Sequence, residues 1–262
     1  MLQLPDSAIL TNLYVPGFTR PDYFFEKKYI GLRSKEKKIY TDDEVRLLPN
    51  CAPSHIHYKE WQFRKHSCKK LVTYLSNKKK PLQILEIGCG NGWISNQLST
   101  IPRSRVLGLD INFTELQQAA RVFNHCQKMK FMYGDIESGI LSDRQFDIIV
   151  FAASIQYFRL PDEILDHCLH YLKPSGEIHI IDTTFYSLKA VSQAQERMIA
   201  YFNTMGFPEM SDYYFHHTLA QISQFNHTIL YNPDSFWNRF SKNRIPFPWI
   251  LIQKDKTNGY AG

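Results

Sequence analysis

The centre of the chain alternates short apolar runs with longer segments whose apolar residues recur every three or four positions. Gln83 to Ile87, Val106 to Leu109, Lys130 to Tyr133, Phe146 to Phe151 and Glu177 to Asp182 are the short runs. Rich in Ile, Leu, Val and Phe, they predict strands buried on both faces. Between them, Trp93, Ile94 and Leu98, and then Leu116, Ala119, Ala120 and Phe123, fall on helical stripes. Pro161 to Leu172 predicts a further helix, with Asp162 and Glu163 in its first turn and Lys173-Pro174-Ser175-Gly176 as its stop. Such alternation predicts an α/β fold with a mostly parallel, doubly wound sheet.

The flanks are less regular. Thr41-Asp42-Asp43-Glu44 has the form of a capping box and predicts a short helix ending before Pro49. From Tyr58, the spacing of Trp61, Cys68, Leu71, Val72 and Leu75 predicts a longer helix that delivers the chain to the first strand. Beyond the fifth strand, helices are expected over Leu188 to Phe202 and Ser211 to Phe225, broken by Gly206-Phe207-Pro208. His227 to Tyr231 and Phe247 to Gln253 predict two last strands with a short helix from Asn232 through Phe240 between them. Pro246 and Pro248 place the final strand at an edge or at its entry.

Chemistry concentrates where the first strand turns. Glu86-Ile87-Gly88-Cys89-Gly90-Asn91-Gly92 puts glycine at every second position, so backbone N–H groups can approach a ligand with no Cβ in the way. Asp110 ends the second strand some twenty residues later, where doubly wound sheets place a partner for ribose hydroxyls. A dinucleotide fingerprint requires a third glycine at the position of Trp93, which disfavours a nucleotide-binding oxidoreductase. The acidic lead-in, the three glycines and Asp110 together resemble the first motifs of the class I S-adenosylmethionine-dependent methyltransferases. The resemblance continues through Gly134-Asp135-Ile136, through Ala152 to Phe158, and through Leu172-Lys173-Pro174-Ser175-Gly176-Glu177. It is similar in particular to the small-molecule group that includes the ubiquinone and menaquinone biosynthesis enzymes.

That resemblance implies a Rossmann-like sheet of seven strands, the last antiparallel, with S-adenosylmethionine as cofactor and S-adenosylhomocysteine as product. It also implies the roles of the site residues. Gly88, Cys89, Gly90 and Asn91 would admit the amino-acid part, with Glu86 holding the loop or the cofactor amine. Asp110 would serve the ribose, Asp135 and Ile136 the adenine, Ile111 is also expected to bind the cofactor, and the backbone at Ala153 would border it. Tyr58, Trp61 and Arg64 would border the methionine end. Many relatives carry histidines where Gln156 and Tyr157 stand, so no base is assigned by motif; His216, His217 and Tyr157 are the candidates. The expected organisation is an N-terminal arm over residues 1–58 covering the site, the methyltransferase domain over 59–254 with a helical insertion at about 186–226, and a tail over 255–262.

Composition narrows the partners. The formal charge of the 262 residues is +6, and roughly 16 Lys and Arg against 8 acids precede Pro81. A basic front of that kind suits either a solvated face or an RNA footprint, so an RNA methyltransferase stays open beside a small-molecule enzyme. The aromatic residues Tyr23, Phe24, Phe25, Tyr29 and Tyr40, and later Tyr201, Phe202, Phe207, Tyr213, Tyr214 and Phe215, favour a closed pocket for a small, partly apolar acceptor. A catalytically idle cofactor-binding module is the third reading. Five widely spaced cysteines without a C-x-x-C pair argue against a disulfide framework and a zinc site, and no metal is expected. Neither a signal peptide nor a membrane span is visible, and a cytoplasmic location is expected.

Overall fold

The computed structural model describes residues 11–17, 23–141, 145–240 and 244–254; the expected tail over 255–262 and the side chain of Tyr23 lie outside them. The described chain runs β1 (Leu13–Tyr14), α1 (Tyr23–Lys35), α2 (Asp42–Leu47) and α3 (Tyr58–Ser76), then β2 (Leu82–Ile87), α4 (Trp93–Ser99) and β3 (Ser104–Asp110). It continues through α5 (Phe113–Val122), β4 (Met129–Tyr133), β5 (Phe146–Ala152), α6 (Pro161–His170), β6 (Leu172–Ile181) and β7 (Phe185–Tyr186). The last part holds α7 (Leu188–Met205), β8 (His217–Thr218), β9 (His227–Tyr231), α8 (Phe236–Arg239) and β10 (Trp249–Gln253).

The main sheet has the order β1-β4-β3-β2-β5-β6-β10-β9. From β1 to β6 neighbouring strands are parallel, whereas β10 is antiparallel to both β6 and β9. After β2 the chain builds outward through β3 and β4, then crosses back to build β5 and β6 on the other side. The reversal leaves a switch point between β2 and β5, where open α/β sheets bind ligands. Strand alternation sorts the core. Ile84 of β2 packs with Trp61, Leu71, Trp93 and Leu98 from α3 and α4, while Leu85 and Ile87 pack with Ile164, Leu165 and Cys168 from α6. Burying a side chain such as Leu85 completely contributes about 1.5 to 3 kcal/mol.

Local chemistry fixes the helix ends that matter to the site. Gly92 adopts φ 76 as the N-cap of α4, where a Cβ would lie 2.7 Å from the Phe131 ring and 2.9 Å from Ala119 Cβ. Asn112 caps α5 by accepting from the Glu115 N–H. Thr41 and Glu44 form the expected capping box at the start of α2.

Three expectations are corrected. The main sheet has eight strands, not seven, because β1 pairs with β4; the Asn12 carbonyl accepts from the Phe131 N–H, and Asn12 Nδ2 donates to the Ala120 carbonyl. The segment 211–225 is not a helix. It completes a 3₁₀ helix over Pro208–Tyr213, extends into β8, which pairs with β7, and turns through a second 3₁₀ helix over Leu219–Ile222. The aromatic run from Tyr213 to His217 is held extended from outside, with the Phe215 N–H bonded to the Gln156 carbonyl. The final strand begins after Pro248, as an entry proline requires, but it lies between β6 and β9 and is not an edge.

The arm and the inserted segment meet over one end of the sheet. Phe25 and Leu32 of α1 pack with Met198 and Phe202 of α7 and with Met210 in a separate cluster. A Cβ on Gly31 would lie 2.7 Å from the Phe207 ring, so glycine permits this close approach. Lys28 pairs with Glu209 at 2.5 Å, and Lys35 Nζ donates to the Met205 carbonyl at 2.8 Å.

Candidate active site

At the end of β2 the chain leaves Ile87 through Gly88, whose φ is 72. A Cβ there would lie 2.5 Å from Ser154 Cβ, so this position admits only glycine without movement. Ser154 Oγ donates to the Ile87 carbonyl at 2.6 Å and ties the ends of β2 and β5 together. Across from them, Asp110 accepts from the Gly90 N–H at 2.6 Å through Oδ2 and from the Asn112 N–H at 2.8 Å through Oδ1. Burial pushes the Asp110 carboxyl up to about 6, against the pull of those backbone donors. Glu86, in β2 just before Ile87, is buried and accepts from Ser95 Oγ; burial dominates and its carboxyl is pushed up to about 8.

These strand ends open on a cavity of about 370 Å³. Gly88, Gly90, Asp110, Ile111, Asp135, Ile136 and Ala153 form one part of its wall, and Phe25, Tyr29, Tyr157, Tyr213 and Phe215 another. A polar cleft of about 110 Å³ adjoins it, shares Gly88, Gly90 and Ala153, and adds Glu86, Cys89, Asn91, Trp61 and Arg64. All ten residues expected to bind a cofactor therefore line one of two adjoining spaces. Cys89 contributes backbone only, since its thiol is buried toward Gly108, and burial raises its pKa. Asp135 Oδ1 accepts from the Glu137 N–H at 3.0 Å. Of the residues expected at the methionine end, Trp61 and Arg64 line the cleft and Tyr58 does not.

The three candidate bases are placed differently. Tyr157 is on the cavity wall, and its hydroxyl accepts from Arg33 Nη2 at 2.7 Å. Burial raises the Tyr157 pKa and the Arg33 charge opposes it, so the phenol is neutral near pH 7. His217 is buried in β8 with Nε2 3.1 Å from the Ile155 carbonyl, and His216 packs against the rings of Tyr186 and Tyr214. Neither histidine lines the cavity. Burial lowers both histidine pKa values.

Four residues here carried no sequence signal. Ser154 and Asn112 are ordinary turn and cap types. Arg33 lies in a run that reads as solvated, yet its guanidinium reaches Tyr157, stacks 4.8 Å from the Tyr29 ring centre and pairs with Glu36 at 2.7 Å. Glu115 has the position of a first-turn helix acid but lines both the cavity and the cleft. Among the described residues no group of three or more His, Cys, Asp or Glu could hold a metal ion, and no helix is long and apolar enough to cross a membrane.

Residues 84–176, which run from within β2 into β6 and include the glycine loop, Asp110 and Asp135, match the family model described as a methyltransferase domain. This segment is a class I methyltransferase domain. Among curated proteins, the malonyl-[acyl-carrier protein] O-methyltransferase of Halalkalibacterium halodurans is 30% identical over 132 residues, which cover 45% of this chain and 48% of the relative. The mitochondrial ubiquinone biosynthesis O-methyltransferase of Dictyostelium discoideum is 29% identical over 119 residues, 40% of this chain and 37% of the relative. The chain thus spans about half the length, or less, of these relatives. In fold it is similar to the plantazolicin methyltransferase BpumL in complex with SAH, at a TM-score of 0.54 and 19% identity over 88% of this chain and 97% of that one.

The cofactor of class I methyltransferase domains is S-adenosylmethionine, and the residues present fit it. The glycine loop leaves backbone exposed to the cavity at Gly88 and Gly90. Asp110 takes backbone donors from Gly90, Asn112 and Ile111, and the roughly four lone-pair sites of a carboxylate leave room for a hydroxyl.

Proposed function

We propose that the protein transfers the methyl group of S-adenosylmethionine to an oxygen of a small, partly apolar acceptor. The observation that carries this reading is continuity: the strand-end wall with Asp110 and Asp135 and the aromatic wall of Phe25, Tyr29, Tyr157, Tyr213 and Phe215 bound a single cavity. The cofactor supplies a sulfonium methyl activated for in-line displacement. In this reading Asp110 accepts the ribose hydroxyls, Asp135 accepts from the adenine amino group, and Ile111 and Ile136 pack on the ring. The backbone of Gly88 to Gly92 admits the amino-acid part beside Glu86 and Arg64. Tyr157, oriented by Arg33, is the polar group on the acceptor wall. The aromatic side chains around it exclude water and hold the acceptor in line.

Relatives named O-methyltransferases support oxygen as the accepting atom. A small acceptor is favoured over RNA by what the basic front of the chain does. Lys38 and Arg64 both pair with Glu60, Arg46 with Asp43 and Lys78 with Glu177, so part of that positive charge is already met by ion pairs. The aromatic wall is built by α1 and by residues 212–215, which suits a pocket more than an open groove. The test is incubation of the purified protein with methyl-labelled S-adenosylmethionine and cell extract, followed by fractionation. Label in low-mass metabolites supports the reading. Label in RNA, with binding that weakens steeply against salt, or cofactor binding without any transfer, overturns it.

A further inference from the structure

Glu115 occupies a place that neither the glycine motif nor the helix dipole accounts for. Its turn of α5 is fixed from two sides: Asn112 Oδ1 accepts from the Glu115 N–H at 3.1 Å, and Glu26 of α1 accepts from the Thr114 N–H at 2.9 Å. The side chain then leaves the helix toward the glycine loop, with Oε2 3.2 Å from where a Cβ on Gly90 would stand. An acid in a first helical turn ordinarily faces water. This one lines the large cavity and the polar cleft alike, and so stands where the two meet.

Its carboxylate makes no hydrogen bond or ion pair among the described residues. Burial pushes its pKa up to about 8, with Asp110 and Glu26 adding repulsion and Arg33 and Arg64 opposing them. The side chain is half-buried on the cavity wall, and a carboxylate crowded there by Asp110 and Glu26 with no donor of its own is disfavoured; a cation arriving beside it removes that cost. The cofactor fitted to these walls is such a cation at its sulfur, and its demethylated product is not.

We propose that Glu115 faces the cationic centre of the bound cofactor and makes the site prefer the sulfonium of S-adenosylmethionine to the neutral thioether of S-adenosylhomocysteine. The inference rests on the cofactor reading above. Its consequence is in ligand exchange: once the methyl has left, the sulfur is neutral, the attraction is lost and the product exchanges more readily for fresh cofactor.

The test is titration calorimetry with three ligands: S-adenosylmethionine, S-adenosylhomocysteine, and sinefungin, which carries an ammonium on the carbon that replaces sulfur. Glu115→Gln is expected to raise Kd for the two cations by about tenfold or more, as loss of a close charge pair in a partly buried site requires. Kd for S-adenosylhomocysteine is expected to change by less than about twofold. Glu115→Asp, which keeps the charge on a shorter arm, is expected to restore part of the preference. Retained S-adenosylhomocysteine binding also reports that the variant is folded; if Glu115→Gln does not fold, the ratio is read on Glu115→Met, which has similar length and no charge. Equal loss for all three ligands, or no loss, overturns the assignment of Glu115 while the cofactor reading stands. A wild-type protein that binds none of the three overturns both.

Discussion

The Gly90 N–H donates to Asp110 Oδ2 over 2.6 Å, so the acid that ends β3 holds the glycine loop that ends β2 while it faces the cavity. Asp110→Ala removes both the loop brace and the acceptor for the ribose. It is expected to weaken S-adenosylmethionine and S-adenosylhomocysteine by more than about tenfold, since hydrogen bonds to a charged acceptor contribute about 1.5 to 3 kcal/mol. The variant is also expected to melt at a lower temperature without ligand. Calorimetry and a thermal melt check the two effects separately, and unchanged affinity removes Asp110 from the site.

Gly88 and Gly139 have nearly the same φ, 72 and 74, but different surroundings. A Cβ on Gly88 would lie 2.5 Å from Ser154 Cβ, whereas one on Gly139 would meet nothing within 4 Å. Both alanine variants carry the left-handed strain of about 1 kcal/mol or more. Gly88→Ala alone is expected to add a steric cost and to weaken cofactor binding. Denaturant melts that rank the two variants equally would show that the Ser154 contact yields freely.

Burial raises the folded-state pKa of Glu86 from the ordinary 4.5 to about 8. The folded protein therefore binds a proton at Glu86 more tightly than the unfolded chain does. That contribution is fully present below about pH 4.5 and is lost as pH rises toward 8. Glu86→Gln keeps an acceptor for Ser95 and has no proton to lose. Its thermal midpoint relative to wild type, measured without cofactor, is expected to climb between pH 4.5 and 8 and then level off. A flat difference across that range would show that Glu86 is not buried as a neutral acid.

At the opposite side of β6, Trp249 Nε1 donates to His179 Nδ1 at 3.1 Å, which leaves the ring proton on Nε2, 3.2 Å from Glu177 Oε2. Lys78 Nζ also donates to Glu177, at 2.7 Å. Burial raises the Glu177 pKa, but the bonds from His179 and Lys78 outweigh it and hold the carboxyl at about 2; burial lowers the His179 pKa from 6.5. Both groups therefore bind protons less readily when folded. Their contribution is present at neutral pH and is lost on acidification, from about 6.5 downward for His179 and from 4.5 toward 2 for Glu177. Thermal midpoints of Glu177→Gln are expected to depend less on pH below 4.5 than those of wild type, and an identical acid profile would count against the network.

The candidate bases separate on the identified acceptor. Tyr157→Phe deletes the hydroxyl that meets Arg33 and is expected to lower turnover or raise the acceptor KM, with S-adenosylhomocysteine affinity unchanged. His216→Ala is expected to leave turnover intact. His217→Ala empties a buried site in β8 and is expected to lower the melting temperature. Loss of turnover in His216→Ala with a normal melt would return the base to that segment.

Local sequence determined the elements at the centre of this protein, because β2, β3, β4 and β5 are short, mostly apolar runs and α5 and α6 repeat their apolar residues at helical spacing. The glycine loop was equally legible, since its positive φ values and close contacts at Gly88 and Gly92 leave few other residue types possible. Tertiary structure decided what short or mixed segments do. Leu13–Tyr14 is too short to show a period and is a strand only because β4 offers an open edge. The run from Tyr213 to Thr218 carries helical and extended preferences together, and pairing of β8 with β7 settled it as extended. Asp110 and Asp135 were legible as candidate site acids because each stands at a strand's end, whereas Glu115 and Arg33 looked like solvated helix charges. What turned those two side chains inward is the packing of α1 over the strand ends, through contacts 88 residues apart for Glu26 with Thr114 and 124 for Arg33 with Tyr157 that no local pattern records.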